Sequence, residues 1–387
     1  MKYIPQPLPP AGSTVVVGLS GGVDSTLTAL LLKQKGCKVI GVTMSLWDGH
    51  LKTIQDVAFQ EACYGPKEIE NIEECKKFCQ QFDIEYHVID VSKEYNEQVL
   101  DYFTSEYRSG KTPNPCIRCN RFVKFGALLE GIKKININFD YFCTGHYAMI
   151  VRPEEGLWGS ESKPCMIACA LDETKDQTYF LCRLPSEILE KVRFPLANVH
   201  KSEVFELAKK YKLQAATRKE SQDFIDMKYF DILFADKPSI PGDFVDINGK
   251  ILGKHKGIEH YTIGQRRGLG VSGPIPYYVK EINPENNQII LAEKSLLNST
   301  SLIADDFVWP GNIEPNDTFE AFVKIRLRSK TELGTIQKYT PSPDDNTNYK
   351  GQPWKITFND GLYAVTPGQS VVLYKDNVII GGGIILR

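Results

Sequence analysis

The chain has 387 residues, 42% of them hydrophobic and 24% charged, with a formal net charge of −2. That length accommodates two or three domains with real cores, and the near-neutral balance excludes nucleic-acid binding by overall charge, leaving local basic patches as the only route to it. No apolar run approaches the roughly 18 residues of a membrane span, and the proline-rich start through Pro10 lacks the apolar region of a signal peptide. A cytoplasmic protein with no membrane partner is expected, and its ten cysteines are read as thiols, ligands or catalysts rather than disulfide staples.

Residues 14–17 (Thr-Val-Val-Val) read as a buried strand, and residues 26–33 as a helix without breakers. Between them lies Gly18-Leu19-Ser20-Gly21-Gly22-Val23-Asp24-Ser25. A glycine turn opening a helix aims backbone N–H groups and the positive helix end at one spot, which suits a phosphate, and Ser20 and Ser25 add hydroxyls. Asp24 would repel a phosphate, so it fits as a helix cap or as a group that meets the anion through Mg²⁺. The segment has neither the lysine of a Walker A loop nor the spacing of a dinucleotide fingerprint.

A second strand is expected at 38–44, a long loop at 46–70, a helix at 71–81, a strand at 85–90 and a helix through 99–107. Strands alternating with helices imply a doubly wound α/β fold with a parallel sheet. Residues 110–125 then combine a Pro-Asn-Pro loop with Cys116 and Cys119, placed where a helix at 122–132 begins. A helix N-terminus with Arg118, Arg121 and Lys124 nearby favours thiolate. A structural zinc site would need two more ligands; Cys75 and Cys79 have a helical spacing that suits core packing better.

From about residue 216 the character changes. A polar, irregular stretch leads to Arg266-Arg267 between glycines, which suits phosphate contact, and from about 300 short strands alternate with turns, as in a small antiparallel barrel. Lys324, Arg326, Arg328 and Lys330 alternate as a basic stripe on an expected strand. The expected domains are 1–215, 216–298 and 299–387.

The SGGVDS segment resembles the pyrophosphate loop of the PP-loop ATP pyrophosphatases, which adenylate a substrate oxygen. That resemblance implies ATP with Mg²⁺ at Gly18 through Ser25, and contacts to the nucleotide from Met44 and Gly145. Thr112-Pro113-Asn114-Pro115, with Cys119-Asn120 and Lys124-Phe125, is similar to the signature of the MnmA family of tRNA 2-thiouridylases. The segments Thr144-Gly145-His146-Tyr147-Ala148, Asp172 through Leu181, Phe194-Pro195-Leu196 before Lys201, His255 through Gly268, and Thr366-Pro367-Gly368-Gln369 follow in the family's order. The resemblance implies a tRNA substrate (isoacceptors for Lys, Glu and Gln), thiolated at C2 of the wobble uridine. It implies tRNA contacts at Asn114, Pro115, Cys116, His146, Lys175, Asp176, Gln177, Arg266, Arg326, Leu327 and Gln369. Cys119, Cys116 and Asp24 are its implied catalytic residues.

The pattern breaks at two positions. Cys116 stands where the usual members carry Asp, and Ile225 stands where they carry a second cysteine that passes on a persulfide sulfur. Three repairs are open: Cys116 resolving Cys119 within the C-x-x-C; another thiol, Cys143 or Cys182; or Cys116, Cys119 and a third thiol holding a [4Fe-4S] cluster, the reading slightly preferred here. The sulfur would come from a donor protein or inorganic sulfide. The alternatives are a different PP-loop reaction on tRNA and a tRNA-binding protein that no longer thiolates.

Overall fold

The computed structural model describes residues 2–49, 64–65, 67–213, 225, 227–315, 318–345 and 347–387. The stretch 218–224 and most of the loop expected at 46–70 lie outside them.

Three sheets organise the chain. The first is parallel, with five strands: β2 (Thr14–Gly18), β3 (Lys38–Ser45), β4 (Glu85–Asp90), β5 (Tyr141–Cys143) and β8 (Val192–Arg193), in the order β4-β3-β2-β5-β8. Val15, Val16 and Val17 of β2 are fully buried, which is why this strand carries no polar face. The chain leaves β2 with β3 on one side and β5 on the other. Its carboxyl end is therefore the point where the strand order reverses, and ligands of open α/β sheets bind there. The helix Val23–Gln34 starts at that point.

The second sheet is small: β9 (Gly242–Val245), β10 (Ile251–His255), β11 (Tyr278–Asn283) and β12 (Gln288–Ala292), in the order β10-β9-β12-β11. None of its strands is anticipated in the sequence reading, because short strands separated by glycine turns leave little periodicity. His255 is 2% exposed in its core: Gly257 N–H donates to Nδ1 at 3.2 Å, and Nε2 faces Asn287 O at 3.1 Å.

The third sheet contains a closed antiparallel barrel of β13 (Asn298–Val308), β14 (Thr318–Lys324), β15 (Glu332–Lys338), β16 (Trp354–Tyr363), β17 (Ser370–Lys375) and β18 (Val378–Ile385). Pairing of β17 with β18 closes the ring. Beyond the ring the sheet continues through β7 (Met166–Ala168) and β6 (Met149–Pro153) to β1 (Tyr3–Pro5), so a hairpin of the first domain is hydrogen-bonded to the barrel. The doubly wound fold with a central domain and a barrel is as expected. The basic stripe does not form: β14 ends at Lys324, and residues 325–329 are bends and turns.

Candidate active site

Gly22 caps the helix Val23–Gln34 in an extended conformation, and Gly21 takes φ = +76° just before it. That left-handed backbone is what turns the chain sharply from strand to helix, and it favours glycine. Ser25 Oγ donates to Gly22 O at 3.0 Å and accepts from Ser20 N–H at 3.2 Å, so the loop is held in shape by its own hydroxyl. Thr43 Oγ1 donates to Leu19 O at 3.0 Å and fastens the loop to β3. The first N–H groups of a helix have no intrahelical acceptor, and here they open beside a strand end.

Asp24 lies in the first turn. Lys201 Nζ is 2.7 Å from its Oδ1 and 2.8 Å from its Oδ2, and Tyr147 OH donates to Oδ1 at 2.8 Å. Lys201 begins the helix Lys201–Lys210, where a cation opposes the helix dipole, so its place requires a carboxylate partner. Asp172 steadies the same end by accepting from Thr174 Oγ1 at 2.6 Å, from Lys201 N–H at 2.9 Å and from Thr174 N–H at 3.1 Å, and these bonds, the hydroxyl's foremost, hold its carboxyl below the usual range. Sequence reasoning missed Lys201, Tyr147 and Asp172 as parts of this loop; the unfavourable lysine at a helix start was the available signal.

Gly145 closes against the loop. A Cβ there would come within 2.7 Å of the Asp24 carbonyl carbon, so only glycine lets the β5 turn approach this closely. Neighbouring His146 packs its ring between Phe125 and Phe194, with Nδ1 2.6 Å from Thr144 Oγ1. Burial, with the Lys124 charge adding to it, holds its pKa well below the ordinary value, so this imidazole is neutral near pH 7. Gln177 clasps the next residue from both sides: its Oε1 accepts from Tyr147 N–H and its N–H donates to Tyr147 O, both at 2.9 Å. Asp176 accepts from Thr178 Oγ1 at 2.6 Å. Met44, at the end of β3, is half-buried against the main core. The chain leaving β3 is pinned by buried Glu68, which accepts from Ser45 Oγ, Leu46 N–H and Trp47 N–H at 2.7, 2.8 and 3.1 Å.

The cysteine segment starts earlier than the sequence suggested. Asn114 caps a helix at Pro115, its Oδ1 accepting from Ile117 N–H at 3.2 Å, so Cys116 sits in the first turn. Cys119 opens a nine-residue π-helical stretch, Cys119–Ala127. Such stretches are rare and concentrate at functional sites. Both cysteines are half-buried, and Cys119 packs against the main core. Phe125 in the same stretch meets Phe142 of β5 edge-on, which places the segment over the strand that leads to Gly145 and His146. Asn120 donates to Phe180 O at 3.0 Å. Two of the expected cations turn elsewhere: Arg118 donates to Gln98 O and Oε1 and stacks on Tyr102 and Phe122, and Arg121 lies over Phe122.

All three domains converge on the loop before these cysteines. Thr112 N–H donates to Pro367 O at 2.9 Å, Gln369 Nε2 donates to Thr112 O at 2.9 Å, and Thr112 Oγ1 donates to Thr262 Oγ1 at 3.3 Å. Arg326 is not a free surface cation: it donates to Ile263 O and Ala364 O at 2.9 Å each, and to Thr366 Oγ1. Leu327 and Arg266 are exposed, and Lys175 is half-exposed.

The three replacements for the missing second thiol fare differently. Ile225 is 4% exposed within the main core. Cys143 is fully buried and its thiol is pushed far up by burial; Cys182, 4% exposed, is pushed up to about 12 for the same reason. Neither is an accessible thiolate. Among the described residues no group of three His, Cys, Asp or Glu side chains stands close enough to hold a metal, so the donor set does not fit a three-cysteine cluster.

Three family models cover almost the whole chain: a tRNA methyl transferase HUP domain over residues 13–227, a tRNA methyl transferase PRC-barrel domain over 231–293 and an aminomethyltransferase beta-barrel domain over 299–385. The chain is 42% identical to the tRNA-specific 2-thiouridylase MnmA of Endomicrobium trichonymphae, over 96% of this chain and 98% of the relative. It is 40% identical to MnmA 1 of Caldanaerobacter subterraneus subsp. tengcongensis and 38% identical to MnmA of Carboxydothermus hydrogenoformans, over 96% of this chain and 97% of each relative. The chain belongs to the MnmA family. The family models name methyl transfer while the MnmA relatives are named for thiolation.

Proposed function

We infer that this protein is an ATP-dependent tRNA 2-thiouridylase that exchanges the C2 oxygen of a uridine for sulfur, releasing AMP and pyrophosphate. The observation that carries this is the placement of the Cys116–Cys119 segment over β5, whose turn closes on the phosphate loop through Gly145 and Asp24. A loop suited to phosphates at the end of β2, and two half-buried cysteines in the segment over neighbouring β5, supply what an adenylation followed by a sulfur attack requires.

In this reading Gly18 through Ser25 bind the phosphates of ATP, with Met44 and Gly145 lining the nucleotide. Uridine O2 attacks the α-phosphorus, the bond to pyrophosphate breaks, and the base is left O-adenylated with AMP as its leaving group. Asp24, Ser20 and Ser25 offer the oxygen donors that Mg²⁺ takes, and the ion would supply charge neutralisation at the phosphates. Asp24 is kept in place by Lys201 and Tyr147. Asn114, Pro115, His146, Lys175, Asp176, Gln177, Arg266, Leu327 and Gln369 are proposed to face the tRNA, with His146 acting as a neutral hydrogen-bonding ring. Arg326 is proposed to act through the loops it ties together. A uridine has to leave its stack to reach this site.

A persulfide on Cys119, loaded by a sulfane-sulfur donor, attacks C2 with its terminal sulfur, and the C–O bond to AMP breaks. Cys116 thiolate then attacks Cys119 Sγ. The S–S bond to the base breaks, 2-thiouridine is released, and a Cys116–Cys119 disulfide remains for an external dithiol to reduce. Two cysteines three residues apart on a helix lie on one face, within reach of this exchange.

The test is tRNA thiolation in vitro with ATP and a sulfane-sulfur donor. Cys119→Ser should abolish 2-thiouridine while AMP release on tRNA addition persists; loss of neither would return the chain to a different PP-loop reaction.

A further inference from the structure

Beside the cysteine segment a small cavity is lined by Asn114, Arg118, Arg121, Arg183, Ser370 and their apolar neighbours. About 10 Å³ of it is open to the centre of a water molecule, room for one small particle and too little for a phosphate or sulfate. Three of the lining side chains have a buried polar atom with no hydrogen-bond partner among the described residues: Arg121 Nη1, Arg183 Nε and Ser370 Oγ. Arg183 is 4% exposed and Ser370 is fully buried. Leaving such donors unsatisfied is costly, the more so for a guanidinium.

Arg183 Nη2 contacts the Asp306 carboxylate at 2.7 Å, while Glu106 and Asp305 attract Arg118 and Arg183 without such a contact among the described residues. Arg118 spends its bonds on neutral Gln98 acceptors. Burial and the neighbouring guanidiniums pull Arg121 down to about 10, which still leaves it charged at neutral pH. Two of the unmet atoms are guanidinium donors and the third is a hydroxyl that can donate.

We propose that this cavity is a binding site for a single-atom inorganic anion of the chloride class, held by Arg121, Arg183 and Ser370. Arg118 and Arg121 belong to the segment that carries Cys116 and Cys119, whereas Ser370 and Asp306 belong to the barrel. The anion therefore bolts the barrel to the cysteine segment by accepting from donors on both of them. This does not depend on the thiolation reading.

The test uses the full-length protein. Crystals grown in bromide should give an anomalous peak between Arg121, Arg183 and Ser370. Melting temperature should rise saturably with chloride or bromide relative to gluconate at matched ionic strength. Ser370→Ala, which removes a neutral donor and keeps the charges, should raise the halide dissociation constant several-fold. Arg121→Gln should raise it at least about tenfold. A water at this position with no anomalous signal would overturn the proposal, as would equal melting temperatures in chloride and gluconate.

Discussion

Lys201 Nζ stands 2.7 and 2.8 Å from the two carboxylate oxygens of Asp24, joining the start of one helix to the first turn of another 177 residues earlier. The lysine side chain is 9% exposed and the aspartate 27%, so the pair is well shielded from solvent. Tyr147 completes the arrangement from the Gly145 turn. Asp24 is thus fixed in position before any nucleotide arrives.

Replacing Lys201 by Met strands that carboxylate. We expect a loss of about 1–3 kcal/mol in unfolding free energy, the cost of leaving a buried polar group unsatisfied, together with a raised KM for ATP. Denaturant midpoints and ATP titrations check the two separately; a change in stability with an unaltered KM would remove Lys201 from the nucleotide site.

Gly145→Ala forces a methyl carbon into the Asp24 backbone, where the ideal position is 2.7 Å from the carbonyl carbon. Overpacking of this kind costs about 1–3 kcal/mol. The loop is the element that yields, so tRNA-dependent AMP formation should fall by an order of magnitude or more while the far-ultraviolet spectrum stays unchanged.

Gln369→Ala removes the donor to Thr112 O and loosens the barrel from the Pro-Asn-Pro loop. One neutral hydrogen bond is worth about 1 kcal/mol, so KM for tRNA should rise about fivefold with ATP affinity untouched. Steady-state kinetics with each substrate varied in turn distinguishes this from a general loss of fold.

His255 gives a pH signature. Burial lowers its pKa below the ordinary 6.5, and Gly257 N–H points at Nδ1, where a second proton would sit. The unfolded chain takes up a proton below pH 6.5 that the folded chain refuses, so this group's contribution is full above that pH and is lost as pH falls beneath it. The slope is at most about 1.4 kcal/mol per pH unit. Urea midpoints at pH 7.5, 6 and 5 should drop less steeply in His255→Gln than in the parent protein.

The first strand, its glycine turn and the helix after it were legible because a buried valine run followed by Ser-Gly-Gly leaves few other local structures. The parallel sheet was legible for a related reason, since each strand and helix has its own period. What escaped were partnerships across long separations. Nothing in the sequence around residue 326 announces that its guanidinium is consumed by Ile263, Ala364 and Thr366, so a strand end passed for a basic stripe. The π-helical turn at Cys119 was equally hidden; composition distinguishes it poorly from an α-helix, and the shift of the helix start to Pro115 follows from the Asn114 cap. Cys143 and Cys182 failed as replacement thiols on burial, which spacing alone does not report.

The most direct measurement is peptide mass spectrometry after a single turnover with persulfide-loaded protein, ATP and tRNA, quenched by thiol alkylation. The account predicts a Cys116–Cys119 disulfide in amount equal to the 2-thiouridine formed, and accumulation of a Cys119–tRNA adduct in Cys116→Ser. Full turnover by Cys116→Ser, with Cys119 recovered alkylated in the parent protein, would contradict it.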